Sequence, residues 1–435
     1  MYPTLLAGRI PRPVAFWLLA FTLLAILAAS AAPSPLYVVY QDRWGFSPTV
    51  LTTIFAIYVV ALLVALLTVG GLSDHIGRRP VLAGALIVEV ASMVVFLTAD
   101  GVGPLLLARA LQGLATGAAT GAISAGLLDL QPSPASSLGP LLNSLAPAVG
   151  LAAGALGTGL LAQYAPAPTT LVFALFAVLF VVLAAAVLLL PEPVTPRPGA
   201  WASLRPRVAV PSHARRTFLT AAPALIATWA LGGLHLALGP SLTTEELHIA
   251  SHLVGALVVT TLFGAGAAAS LLVHGAPRRV TAAGPLVLAT GTGLTLLALA
   301  VSSAPLFFLA TAVAGAGFGS SFLSAFRSLA ALAGPGDRAK LIAAVYVVSY
   351  LALSVPAVLA GLAVPSLGLN ATATLYGAGV IVFALLATGS EFAGRRTSVT
   401  GPVLVASSTD RDVAPDRLEV AAAGRATDSG PRHGS

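Results

Sequence analysis

Twelve apolar runs of roughly 20 residues, divided by short polar breaks, constrain this chain more than any other feature, because a helix needs about that length to cross a bilayer core of about 30 Å. Runs this long exceed the strands of a membrane barrel, so the spans must be helices. They fall at 14–38, 48–69, 80–98, 104–128, 138–163, 169–190, 218–239, 250–273, 280–302, 305–333, 338–363 and 370–389. Charged residues make up 9% of the chain, against about a quarter in soluble domains. Lipid is therefore the solvent for most of it.

Two segments are polar. Residues 191–217, rich in proline and arginine, read as a linker, and 390–435 read as a disordered tail. Neither holds enough apolar residues for a core, so no soluble domain is left to host catalysis. No phosphate-cradling loop, zinc-binding His-Glu-x-x-His or serine elbow occurs either. The chain has no cysteine, which excludes disulfides and thiolate metal sites. It is expected to be no enzyme and to need no cofactor or metal. The net charge of +7 is nearly all arginine, but no basic, aromatic-studded domain exists to bind nucleic acid. Arg9 and Arg12, followed by an apolar run ending in Ala29-Ser30-Ala31-Ala32, mimic a secretory signal. The run is long for one and reads as the first span.

Arginine sets the topology. With the N-terminus in the cytoplasm, nineteen Lys and Arg lie inside and Arg43 alone lies outside, as the positive-inside rule requires. Both termini are expected to be cytoplasmic, in the cell inner membrane. The two halves repeat weakly. Arg78-Arg79 after span 2 recurs as Arg278-Arg279 after span 8, Gly113 and Gly117 as Gly315 and Gly319, and Gly159 as Gly361. Such parallel repeats mark transporters whose site lies between the halves. The expected fold is all-α, with twelve transmembrane helices in two pseudo-symmetric six-helix bundles. The bundles are 1–191 and 218–389, joined by a cytoplasmic linker, 192–217, and followed by the tail 390–435. The protein is expected to act as a monomer.

The segment from Gly70 through Leu72, Ser73, Asp74, His75, Gly77, Arg78 and Arg79 to Leu82 joins spans 2 and 3. Its glycines permit a tight reversal, and Asp74 can pair with an arginine or a helix N-terminus. It resembles motif A of the major facilitator superfamily, G-x-L-a/s-D-r/k-x-G-R-r/k-x-x-l, departing from it at His75. The resemblance implies a latch, built on Asp74 and Arg78, that holds the cytoplasmic side in the outward-facing state. A second copy, from His274 to Arg279, keeps the arginines and lacks the acid.

In span 4, Arg109-x-x-Gln112-Gly113 places an arginine in an apolar helix, which is costly unless the charge is paired or hydrated. Arg109 either faces a cavity or an acid, or snorkels to the interface. The pattern resembles motif B, R-x-x-Q-G, of proton antiporters, which implies a part for Arg109 in proton coupling. Gly150, Gly154 and Gly159 in span 5 let helices approach closely. They resemble antiporter motif C, with Ala155 where proline is usual and Thr158 where glycine is usual.

Few other charges interrupt the spans. Glu89 and His235 are candidates for carrying a proton, or they bond to neighbouring helices. Asp129 and Arg327 read as interface charges. Tyr37, Tyr40, Tyr58, Trp229, Tyr346 and Tyr350 are candidate cavity residues, though Tyr37 and Tyr40, with Trp17 and Trp44, read first as an interfacial belt. The expected function is secondary active transport by alternating access. The partners are a small-molecule substrate, protons and the lipid bilayer, and the direction is proton-coupled efflux of amphipathic compounds or metabolites, as in the drug:proton antiporter branch. Proton-linked uptake of a sugar or organic acid is the alternative. A non-transporting membrane sensor or scaffold is a third reading, disfavoured by the intact Asp74, Arg78 and Arg109.

Overall fold

The computed structural model describes residues 10–133, 136, 138–192, 194–206, 208–332 and 338–399. Long helices dominate it: α1 (Arg12–Ala31), α2 (Pro48–Val69), α3 (Arg78–Leu97), α4 (Val102–Leu130), α5 (Leu138–Tyr164), α6 (Pro168–Val187), α7 (Arg215–Ala237), α8 (His252–Leu272), α9 (Gly284–Ala300), α10 (Ala304–Ala330), α11 (Arg338–Leu367) and α12 (Leu369–Val399). Among the described residues, ten helical segments are long and apolar enough to cross a membrane, and α9 is a shorter apolar helix. The 29-residue α4, rich in Gly, Ala and Thr, stands outside the ten.

Prolines and glycines explain where the helices depart from the predicted spans. The first span is broken. Pro33 and Pro35 lack the amide donors a helix needs, so α1 stops at Ala31. A 3-10 turn at Ser34–Leu36 follows, and a further helix, Tyr37–Trp44, ends at left-handed Gly45. The predicted span 280–302 is split into Arg278–Thr281 and α9, with Pro285 in the first turn of α9. α12 continues to Val399, so residues 390–399 are helical rather than disordered. The rest of the expected tail lies outside the described residues.

The helices pack as two matching sets. In the first half α4 packs on α1, α2 and α3, and α1 packs on α5. In the second half α10 packs on α7, α8 and α9, and α7 packs on α11. Each of these pairings in the first half has its counterpart six helices on. The same local devices recur. Ser47 caps α2 by accepting from the Val50 amide, and Ser251 caps α8 by accepting from the Val254 amide. Gly113 lies against the Tyr58 carbonyl and the Ala61 side chain, as Gly315 lies against the Leu262 carbonyl and Ala265.

Two seams join the halves, α5 on α8 and α11 on α2. At the first, Gly159 sits where any Cβ would strike Ala256, and at the second Gly361 sits against Thr52 in the same way. Gly159 and Gly361, paired by the sequence repeat, thus hold equivalent places in the two seams. Close approach of backbones is what small residues provide between membrane helices, where no hydrophobic force draws them together.

The two ends of the bundle differ. The end carrying the 70–82 loop is called the arginine end here. Along α7, no residue from Arg215 to Pro223 is buried, whereas every residue from Ala227 onward to Thr243, past the end of the helix, is buried. In the first half every residue from Ala29 to Tyr37 is buried. Hydrogen bonds between the halves cluster at this packed end. The Ser34 hydroxyl donates to the Leu236 carbonyl, Thr49 to the Gly361 carbonyl at 2.7 Å, and Ser251 to Gln163 Oε1 at 3.1 Å. The structure is closed at the end opposite the arginines.

Candidate functional site

Three groups of residues carry the chemistry. The first surrounds the loop after α2. Arg78 is its centre: NH1 pairs with Asp74 Oδ1 at 2.5 Å and donates to Ser73 Oγ at 2.6 Å, while Nε reaches Asp129 Oδ2 at 3.2 Å. Arg12 donates to the backbone carbonyl of Asp129 at 2.9 Å. Asp129 is therefore a member of this network rather than a lone interface charge. Asp74 is mostly exposed, so its ion pair alone contributes little to stability. Gly70 and Leu72 lie in the turn before Ser73–Ile76, and the His75 ring contacts the Gly71 carbonyl at 3.2 Å.

Glu192, in the segment read as linker, is the residue of this site that the sequence analysis missed. Its two carboxylate oxygens accept from the Arg78 amide at 3.0 Å and the Arg79 amide at 2.9 Å. These are the first amides of α3, without intrahelical partners, where helix polarity favours a negative charge. Gly77 makes room for the clamp. Its φ is +107°, and a Cβ there would lie 2.6 Å from Glu192 Oε2. Arg79 adds a bond from NH2 to the Leu188 carbonyl at 2.7 Å. The Arg197 amide donates to the His75 carbonyl at 2.8 Å. A Pro-Glu-Pro after an apolar run is the only sequence signal, and it carries no spacing that points to α3.

The second group is buried among α1, α2, α3 and α4. Arg109 is 1% exposed and does not snorkel. Its NH1 donates to Gln112 Oε1 at 2.6 Å and to the Ser30 carbonyl at 3.1 Å, and its guanidinium lies 4.1 Å from the Tyr58 ring centroid. Gln112 in turn donates to the Ala29 carbonyl at 2.9 Å. Those carbonyls sit in the last turn of α1, just before the break at Pro33. Glu89, also 1% exposed, lies within the electrostatic reach of Arg109 and beside Gln112, yet neither of its oxygens is hydrogen-bonded. Two of the three proton-coupling candidates, Glu89 and Arg109, are thus brought together. His235 is not with them. It is buried at the closed end, with Nδ1 at 3.0 Å from the Leu231 carbonyl and Nε2 without a partner.

The third group is aromatic. Trp229 on α7 meets Phe318 at 5.8 Å, Phe322 at 5.6 Å and Tyr350 at 5.9 Å between ring centroids. Tyr350 stacks on Tyr346 at 6.1 Å. Tyr58 lies near enough to Tyr350 to act on it across the seam. Tyr37 and Tyr40, expected at the interface, are instead 2% exposed each, while Trp17 is exposed. Gly150 and Gly154 pack against Leu27 and Ala28 of α1. Arg327 donates to the ring and the carbonyl of His274. An apolar groove of about 310 Å³ between α7, α11 and α12 contains none of the candidate residues. Its Leu359 and Leu375 are well exposed, so it faces outward.

Two matching sets of apolar helices, closed at one end around buried polar groups, define a polytopic membrane transporter. The sequence profile of the Major Facilitator Superfamily matches residues 17–276, and the chain belongs to that superfamily. No curated protein matches the chain. Among solved structures, it is similar to a bacterial homologue of the human lysosomal transporter Spinster in an inward-facing, unoccupied conformation, at 14% identity and a TM-score of 0.68, covering 89% of this chain and 98% of that one. A variant of the nucleoside transporter NupG follows at 12% identity and 0.65, covering 87% and 100%. The human organic anion transporter MFSD10 is similar at 20% identity and 0.60, with the same coverage. At these identities the likeness speaks for the fold.

Proposed function

We propose that this protein is a proton-coupled exporter of small amphipathic compounds, working by alternating access between two six-helix bundles, 1–191 and 218–389. The arginine end is cytoplasmic, the membrane is the cell inner membrane, both termini lie inside, and twelve helices span the bilayer. The bias of Lys and Arg supports this orientation. With that orientation the structure is in an inward-facing state. The motif A latch is then disengaged from the second half, in keeping with its partners Asp129, in the first half, and Glu192, at the start of the linker.

The observation that carries the coupling is the Glu89–Arg109 pair. A fully buried carboxylate without a hydrogen bond, near a guanidinium that is bonded through NH1 to Ser30 and Gln112 and lies on Tyr58, is a group that can take up and release a proton. Intramembrane ionisable groups are costly and belong to pathways far more often than to scaffolds. The test is proteoliposomes with an imposed pH gradient and a panel of fluorescent amphipathic compounds. Glu89→Gln should abolish gradient-driven accumulation while downhill exchange persists. Undiminished accumulation by that variant removes Glu89 from the mechanism.

A further inference from the structure

The second half carries a continuous track of rings. Phe263 of α8 meets Phe318 edge-on at 5.3 Å, the array passes through Trp229 to Phe322 and Tyr350, and it runs on toward the arginine end through Phe326 and Tyr346. Trp229 is buried, and its Nε1 has no acceptor. Indole is a donor only, so a buried one without a partner is a standing vacancy for a hydrogen-bond acceptor. Phe322, Tyr346 and Tyr350 are only partly buried, so the track stays accessible.

Charge is missing from the same place. Among the described residues, the charged positions of α7–α11 lie toward the helix ends, at Arg215 and Arg216, His252, Arg327 bonded to His274, and Arg338 and Lys340, while His235 is buried at the closed end. Across the seam, Arg109 is bonded to Ser30 and Gln112 and lies on the face of Tyr58, and buried Glu89 lies within its electrostatic reach, so the two opposite charges offset each other. A charged ligand would leave its hydration behind and meet no counter-charge. Attraction of a cation to ring faces returns only part of that cost.

We propose that this track binds an uncharged, planar aromatic compound whose acceptor group takes the Trp229 Nε1 hydrogen. The inference rests on the transporter reading and sharpens its substrate class, excluding the organic cations and anions that an amphipathic exporter could otherwise carry. The rings supply stacking surface, and the tyrosine hydroxyls are free to bond polar edges of the same ligand.

The experiment uses the full chain in nanodiscs and three compounds with one naphthalene body: neutral 1-naphthamide, anionic 1-naphthoate and cationic 1-naphthylmethylammonium. Saturable binding of labelled 1-naphthamide is expected, with both charged analogues at least tenfold weaker as competitors. Trp229→Phe keeps a ring and removes the donor, and should weaken 1-naphthamide about tenfold. Tyr350→Leu, which removes a ring contact elsewhere in the array, should weaken all three alike. Melting curves identify a variant that fails to fold, and the other then decides. Absent 1-naphthamide binding, an equal or tighter charged analogue, or unchanged affinity in the folded variants overturns the proposal. If a charged analogue prevails while gradient-driven transport persists, the substrate class fails and the transporter reading stands.

Discussion

Replacing Gly77 by alanine tests the clamp on α3 directly. The residue sits at φ +107° and ψ 155°, a region that side chains seldom enter. Strain there costs on the order of 1–3 kcal/mol. The new Cβ would also lie 2.6 Å from Glu192 Oε2, so the carboxylate must move and its bonds to the Arg78 and Arg79 amides fail. Water can replace part of that loss at a half-buried site, leaving about 1–2 kcal/mol for the pair of charge-assisted bonds. Gly77→Ala should therefore destabilise by about 3 kcal/mol, and Glu192→Ala by about 1–2 kcal/mol. The double variant should be no worse than Gly77→Ala alone, since the first change already displaces the carboxylate. Apparent melting temperatures of the purified protein, taken at one scan rate because membrane proteins unfold irreversibly, supply the comparison. Losses that simply add in the double variant, or an alanine at 77 as stable as glycine, would refute the reasoning.

Other consequences can be checked in the same preparations. Arg109→Lys keeps the charge but has a shorter reach to the Ser30 carbonyl and Gln112 and no flat face to lay on Tyr58, so it should rescue only part of the stability that Arg109→Ala loses, as read by melting. Gly361→Val drives a side chain into Thr52 and should open the closed end. Because the natural chain has no cysteine, a single Ser34→Cys reporter should then react faster with a maleimide, and an unchanged rate counts against the seam. Glu245 is exposed, but partial desolvation, and then the neighbouring Glu246, raise its carboxyl above the ordinary range, with a correspondingly small effect on stability. The folded state therefore favours its protonated form, and stability falls as pH rises above the unfolded value. Glu245→Gln should raise the melting temperature at pH 7 and lose that advantage in acid.

Much of the architecture was legible because lipid leaves so few options. Span length predicted the helices, and glycine spacing predicted that Gly159 and Gly361 do the same job. Local chemistry accounts for the errors. Pro33 and Pro35 break α1 and turn Tyr37 and Tyr40 inward, although their distance from the span end matched a belt. Glu192 was hidden because its partners are amides more than a hundred positions earlier, and backbone donors leave no trace in a sequence. Glu89 and Arg109 could each be flagged as expensive in an apolar helix, but only the packing of α3 on α4 brings them together.

The bonds that tie the halves at the closed end have a common character. Ser34 and Thr49 are short hydroxyl side chains donating to main-chain carbonyls, Ser251 is a third donating to the Gln163 amide oxygen, and no ion pair joins either seam among the described residues. Ser34 and Thr49 stand at the starts of their helices, without a carbonyl four residues earlier in the same helix, so on parting their hydroxyls turn to water oxygen, another neutral acceptor. Parting the halves therefore swaps one acceptor for another of the same kind. The gate is held by a ratchet of near-equal steps rather than a lock, so a small driving force is enough to decide which side stands open.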